Sequence, residues 1–91
     1  MQRRKQLEIL EEILSVCRTS SSRTRIMYKV NLNFHRVTEY IKFLLELGLI
    51  EEKSFGNIKT YQITKRGEEL LSKLQEVKEF LKTEKDKEML I

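Results

Sequence analysis

Turn-forming residues are scarce in this chain and fall close together. The 91 residues include no proline and three glycines, which are Gly48, Gly56 and Gly67. Glycine and proline are the strongest local breakers of helices and strands. A chain with so few of them should therefore form long helices joined by short, defined turns, and its length allows one domain with a single core.

Three segments before the first glycine carry apolar residues at intervals of three and four, which is the spacing of a one-sided helix. Residues 3–17 predict a first amphipathic helix with its glutamates on the opposite face. Ser22 is the best candidate to cap a short second helix over residues 23–29, because its hydroxyl can accept from an unpaired backbone N–H. Asn33 can cap a third helix over residues 34–47.

The middle of the chain predicts a β-hairpin. Residues 49–53 and 58–63 form two short extended runs on either side of a loop that contains a Gly-Asn pair, as is typical of a hairpin. Because side chains alternate between the two faces of a strand, Tyr61 and Ile63 share a face, which we expect to point into the core.

A long final helix is predicted from Lys65 to about Lys87. Its length would be roughly 35 Å, which overruns a body about 25 Å across. Apolar side chains on the overhang would form a patch that a soluble monomer rarely exposes, and a second copy of the chain is the simplest cover. A helix that bends back over its own core is the alternative. The predicted dimer interface consists of Leu70, Leu74, Val77, Phe80 and Leu81.

The charge of the chain is positive and unevenly distributed. The net charge is +4 and the isoelectric point about 9.3. Residues 1–66 hold 13 Lys and Arg against 7 Asp and Glu, whereas residues 67–91 hold 5 against 7. A cationic body of this kind attracts polyanions. With one cysteine, Cys17, no disulfide can form within the chain, and we expect a buried structural thiol.

The predicted order of elements is that of a winged helix-turn-helix. Three helices with a tight connection between the second and third form the helix-turn-helix, and the hairpin that follows is the wing. The fold class is therefore α+β. We divide the chain into a DNA-binding domain over residues 1–66 and a continuous dimerisation helix over residues 67–91.

The predicted DNA-binding residues lie on the segments that such a fold presents to a duplex. A recognition helix enters the major groove with its first residues at the base edges, and arginines at a helix start suit phosphate. An ordinary solvated helix face is the alternative. The predicted DNA-binding residues are Arg23, Arg25, Asn33, His35, Arg36, Thr38, Lys42, Lys53, Asn57, Lys59, Lys65 and Arg66.

Catalysis, cofactors and metals find no support in the sequence. The order of segments brings no Ser, His and Asp together, and three glycines about ten residues apart cannot build a phosphate loop. One histidine and one cysteine do not make a zinc ligand set. We therefore predict that the protein is not an enzyme and holds no metal or cofactor.

No apolar run is long enough to span a bilayer, and the N-terminus does not have the pattern of a signal peptide, so a cytoplasmic, nucleoid-associated location is expected.

Residues 23–67 carry a pattern known from another group of proteins. The matching residues are Thr24, Ile26, Met27, Tyr28, Asn31, Leu32, Tyr40, Leu44, Gly48, Leu49, Ile50, Tyr61, Ile63, Thr64 and Gly67. On these residues the chain resembles the archaeal winged-helix regulators, over about residues 5–82. Its long terminal helix also looks like that of the archaeal ten-kilodalton chromatin-associated proteins, which dimerise through an antiparallel coiled coil of their last helices. The resemblance implies a symmetric dimer on double-stranded DNA, with one recognition helix and one wing per subunit.

Three functions fit these observations. The first is transcription regulation, with residues 34–47 in the major groove and residues 53–59 on the backbone or in the minor groove. The second is architectural DNA binding with little sequence specificity. The third is a winged helix used for protein contacts, which the arginines and lysines on the helix and wing disfavour.

Overall fold

The computed structural model describes residues 5–82 and contains a helix-turn-helix, a hairpin and a further helix. This order confirms the predicted α+β winged helix-turn-helix fold. The elements are α1 Gln6–Val16, α2 Arg23–Val30, α3 Phe34–Glu46, β1 Ile50–Phe55, β2 Ile58–Ile63 and α4 Lys65–Lys82.

One core draws on every element. The predicted apolar stripes of α1 and α3 hold except at Leu7 and Leu47, which are exposed. The hairpin adds Tyr61, which is 1% exposed. In α4 the fully buried side chain is Leu71, which is not among the residues of the predicted dimer interface. The helical core residues are Ile9, Ile13, Leu14, Cys17, Ile26, Val30, Val37, Ile41, Leu44 and Leu71.

Polar side chains set the start of α2 and the turn between α2 and α3. The Ser22 hydroxyl accepts from the backbone N–H of Arg25 at 3.2 Å, and Asn33 Oδ1 accepts from the N–H of Arg36 at 2.8 Å. Both predicted caps are therefore confirmed. Asn31 ends α2 with a φ of +56°, a left-handed conformation that asparagine tolerates better than most residues.

The wing is a two-stranded ribbon with a tight loop. Its register runs from Ile50 opposite Ile63 to Phe55 opposite Ile58, and Gly56, with a φ of +62°, opens the two-residue loop. Directly paired residues lie on the same face. The inner wing face therefore consists of Ile50, Glu52, Ser54, Lys59, Tyr61 and Ile63, and the outer wing face consists of Glu51, Lys53, Phe55, Ile58, Thr60 and Gln62.

The far edge of β2 is also paired. The backbone N–H of Ser21 donates to the Tyr61 carbonyl at 3.0 Å, and the Tyr61 N–H donates to the Ser21 carbonyl at 2.8 Å. Tyr61 thus joins the segment before α2 to the wing through its main chain. Its buried side chain places the inner wing face against the helices.

Helix α4 begins at the base of the wing. The Thr64 hydroxyl donates to the Gly48 carbonyl at 2.7 Å and accepts from the Gly67 N–H at 3.0 Å. Further along, Lys78 Nζ and Glu11 Oε1 are 2.9 Å apart, so α4 is also tied to α1. The predicted extension of this helix to about residue 87 lies outside the described residues. The predicted start of α1 at residue 3 is wrong, because Lys5 has an extended backbone and caps a helix that begins at Gln6.

Gly67 is expected to tolerate no side chain. A Cβ at this position would contact the Leu49 carbonyl oxygen and lie 2.6 Å from Ile63 Cγ1. Overpacking of this kind costs typically 1–3 kcal/mol, so Gly67→Ala should lower the free energy of unfolding in urea by about that amount. Ser72→Ala, at an exposed position of the same helix, is the control and should change it little. Equal stabilities would contradict the packing described for this helix start.

The Cys17 thiol is expected to be unreactive in the folded protein. It is fully buried, and burial raises its pKa from 9.0 to about 12. Because the thiolate is the reactive form, Ellman's reagent at pH 8 should react with no thiol in buffer and with one in denaturant. Ser15→Cys, which places a thiol on the exposed side of α1, is the positive control. Rapid reaction of the wild-type protein would show that this core opens readily.

Candidate nucleic-acid interface

Three elements meet at one end of the molecule through Arg23, the first residue of α2. Its Nη2 donates to Tyr61 Oη on the inner wing face at 3.1 Å. Its guanidinium carbon also lies 5.6 Å from the centroid of the Phe34 ring, at the start of α3. The starts of α2 and α3 and the inner wing face therefore converge, and we call this region the convergent end.

Arg23 is partly committed to this contact. It is half-buried, and its Nε atom is buried with no hydrogen-bond partner among residues 5–82. A guanidinium held in this way has fewer donors for phosphate than the exposed Arg25 side chain, two residues further along α2. Arg25 is thus the more accessible of the two arginines predicted to contact DNA.

The two wing lysines lie on different faces. Lys59 is on the inner wing face, two residues from Tyr61 and therefore about 6.6 Å from it along the strand. Lys53 is opposite Thr60 on the outer wing face, so the structure does not bring the two together on one surface. The exposed Lys59 ammonium is 3.8 Å from Glu52, a spacing at which an exposed ion pair is weak. Asn57 lies in the loop between them.

The most exposed face of α3 carries charges of both signs. His35 and Lys42 are two turns apart and project from the same side, which they share with Glu39 and Glu46. Thr38 differs from the expectation, because its Oγ1 is buried and makes no hydrogen bond within residues 5–82. The hydroxyl of this predicted DNA-binding residue is therefore not exposed at the surface of α3.

Arg36 lies on the flank of α3 that faces α1. Its guanidinium carbon is 5.8 Å from the centroid of the Tyr40 ring. Both residues line a surface groove of about 410 Å³, whose other walls include Gln6, Leu10 and Phe43. Arg36 is exposed, and stacking on Tyr40 gives its side chain a preferred direction. Asn33 lies at the start of α3, where its Oδ1 atom accepts the capping hydrogen bond from the Arg36 N–H.

Lys65 and Arg66 are at the opposite end of α3 from its cap. The residue before them, Thr64, bonds to Gly48, just past the C-terminus of α3. The 13 residues of α3 span about 20 Å. The structure therefore does not gather all the predicted residues at the convergent end, and these two cations are remote from it.

The predicted site residues omit four exposed aromatics of the described chain, Tyr28, Phe34, Phe43 and Phe55. Phe34 is 57% exposed and Tyr28 is 76% exposed. Phe34 precedes Val37 by three residues, so periodicity alone assigns it to the core stripe. Its position at the very start of α3, at the edge of the core, leaves the ring in contact with solvent. The Asn33 cap, which fixes where α3 begins, is the sequence feature that could have indicated this exposure.

Among residues 5–82, no group of three or more His, Cys, Asp or Glu side chains is placed to hold a metal ion. Over the same residues, no helix combines the length and apolar character needed to cross a membrane.

A family model described as winged helix-turn-helix matches residues 3–82. The chain belongs to the winged helix-turn-helix family. A family of this kind agrees with the prediction that the protein is not an enzyme.

Similar proteins come from archaea and from a bacterium. An uncharacterized protein of Methanocaldococcus jannaschii is 34% identical over 80 residues, which are 87% of this chain and 78% of that protein. The crystal structure of Sso10a-2, a DNA-binding protein from Sulfolobus solfataricus, has a TM-score of 0.79 and 29% identity over 97% of this chain and 98% of that one. The DNA-binding TubR fragment from Clostridium botulinum has a TM-score of 0.64 and 29% identity over 81% of this chain and 99% of that one. The resemblance to archaeal winged-helix proteins is thus confirmed.

The contact between Arg23 and Tyr61 should contribute measurably to stability. Tyr61→Phe removes the buried acceptor of a charged donor, and such losses cost about 1–3 kcal/mol. Urea unfolding of Tyr61→Phe, Arg23→Met and the double variant forms a cycle that isolates the pair. Tyr28→Phe, which alters an exposed tyrosine, is the control and should be neutral. Additive effects of the two changes would mean that the pair is not coupled.

Proposed function

We propose that the protein binds double-stranded DNA and regulates transcription, with α3 in the major groove and the wing on the backbone or in the minor groove. The observation that carries this proposal is the convergent end, where Arg23 links the starts of α2 and α3 to the inner wing face. Two further cations are close in sequence, Arg25 on α2 and Lys59 on the inner wing face. Cations on an exposed helix start and on a neighbouring hairpin complement the phosphates of a duplex. Such a role also implies an association with the nucleoid.

The similar proteins support this proposal. Sso10a-2 and the TubR fragment are both described as DNA-binding, and both share 29% identity with this chain. Sso10a-2 matches the chain over nearly its full length, including the wing and α4. We extend DNA binding to this chain because the elements that form the convergent end lie within the matched region.

Binding should weaken steeply with salt, and the two wing lysines should differ. Each phosphate contact adds about −0.9 to the slope of log K against log salt concentration. If the inner wing face approaches the duplex, Lys59→Ala should make the slope less negative by about 0.9, whereas Lys53→Ala should change it less. Fluorescence anisotropy with a labelled duplex measures these slopes.

Lys73→Ala, on the exposed surface of α4, is the matched control and should leave the slope unchanged. A flat slope for the wild-type protein would contradict DNA binding and favour a winged helix that contacts proteins. A larger effect of Lys53 than of Lys59 would contradict the orientation proposed for the wing.

Architectural binding is the second candidate, and the composition of α3 favours it. Glu39 and Glu46 share the exposed face of α3 with His35 and Lys42, so few side chains on that face suit base readout. Selection of bound sites from random DNA, followed by competition with generic duplex, separates the two roles. A regulator keeps its selected site against a large excess of generic DNA, whereas an architectural protein is displaced at a small excess.

We also propose that the protein is a homodimer that pairs through α4. Val77 is 49% exposed and Phe80 is 67% exposed, and they follow the partly buried Leu70 and Leu74. Leu81 is 9% exposed within the chain itself, so part of the predicted seam is already covered. The exposed remainder is an apolar surface of the kind that a two-fold partner covers.

Sedimentation equilibrium should give the mass of a dimer for the wild-type protein. Val77→Glu places a charge in the proposed interface and should shift the mass toward the monomer. Gln75→Glu introduces the same side chain at an exposed position on the opposite side of α4 from Val77 and should leave the dimer intact. A monomeric wild-type protein, or a Val77→Glu variant that stays dimeric, would contradict pairing through this surface.

A further inference from the structure

We propose that Phe34 contacts the 5-methyl group of thymine in the major groove and thereby makes DNA binding depend on that methyl. The inference rests on the proposed DNA-binding role of α3. It adds a ligand group and a specificity-determining residue that the cationic surface alone does not supply.

The position of Phe34 suits contact with base edges. It is the first residue of α3, directly after the Asn33 cap, and its ring is 57% exposed. The first residues of a recognition helix are those that reach the bases. Among the groups that base pairs display in the major groove, the thymine methyl is the apolar one, and phenylalanine is among the side chains that contact it.

The ring is also held in place before any ligand arrives. The Arg23 guanidinium lies 5.6 Å from its centroid, and the same guanidinium is bonded at 3.1 Å to the hydroxyl of the buried Tyr61. A cation over an aromatic face is attracted to it, so the ring is supported from the protein side. Because less side-chain freedom is lost on binding, such preorganisation favours affinity.

Phe34 differs in this respect from two other exposed phenylalanines, Phe43 and Phe55. Phe43 is 47% exposed but lies in the groove toward α1, nine residues further along α3. Phe55 is 65% exposed but belongs to the outer wing face. Phe34 alone among these three lies at the convergent end, where the cations would bring it against a duplex. Phe43 therefore provides a matched control on the same helix.

The test compares two duplexes that differ only in the methyl group. One is an alternating dA-dT duplex, and the other is the same duplex with every thymine replaced by deoxyuridine. Burying one methyl-sized group contributes about 0.8 kcal/mol, which corresponds to about a fourfold difference in Kd. The wild-type protein should therefore bind the thymine duplex about fourfold more tightly for each Phe34 engaged.

Variants assign this preference to the ring. Phe34→Ala should bind both duplexes equally, Phe34→Leu should keep part of the preference, and Phe43→Ala should keep all of it. Arg23→Met should reduce the preference if Arg23 acts as a positioning residue for the ring, whereas Arg25→Met, which removes a neighbouring cation from the same helix, should keep it. Far-UV circular dichroism and thermal melting confirm that each variant is folded.

The outcomes separate this inference from the proposal on which it rests. Salt-dependent binding with no preference for thymine in the wild-type protein would overturn the methyl contact and leave DNA binding standing. A preference that persists unchanged in Phe34→Ala would also overturn it, since the effect would then come from the duplex or another residue. Binding to neither duplex at any salt concentration would overturn the DNA-binding proposal itself.

Discussion

The burial of Tyr61 connects the wing to the helices. Its main chain pairs with Ser21 on one side and lies opposite Glu52 on the other, while its hydroxyl accepts from Arg23. A two-stranded ribbon is marginally stable alone in water, so the hairpin depends on this anchorage. The relative positions of the wing and of the two helix starts follow from a single residue that is 1% exposed.

Most of the fold could be predicted from local patterns, because these patterns are set by short-range geometry. Apolar intervals gave the inward faces of the helices, and Ser22 and Asn33 marked two helix starts by their capping chemistry. The exception in α4 has a physical cause. Its heptad-like seam and its core stripe are adjacent, and only packing against α1 decides that Leu71 is the fully buried residue.

The site could be predicted less well, because it depends on how elements meet. Chain order cannot reveal that Arg23 contacts Tyr61, or that the predicted helix start at Lys65 and Arg66 lies at the far end of α3. The separation of Lys53 from Lys59 is different, since it was available in the sequence. Lys53 pairs with Thr60 if the loop has two residues and with Ile58 if it has four. Because side chains alternate along a strand, Lys59 lies on the opposite face of the hairpin in either case.

The two-residue loop at Gly56 leaves the wing little conformational freedom. A ribbon closed so tightly, and anchored at Tyr61, has a fixed reach from the start of α3. If α3 occupies a major groove and the wing lies on the adjacent strand, as proposed, the opening between them is set by the protein. A duplex that does not match this opening would have to bend or change its groove width, so DNA deformability would itself contribute to the choice of site.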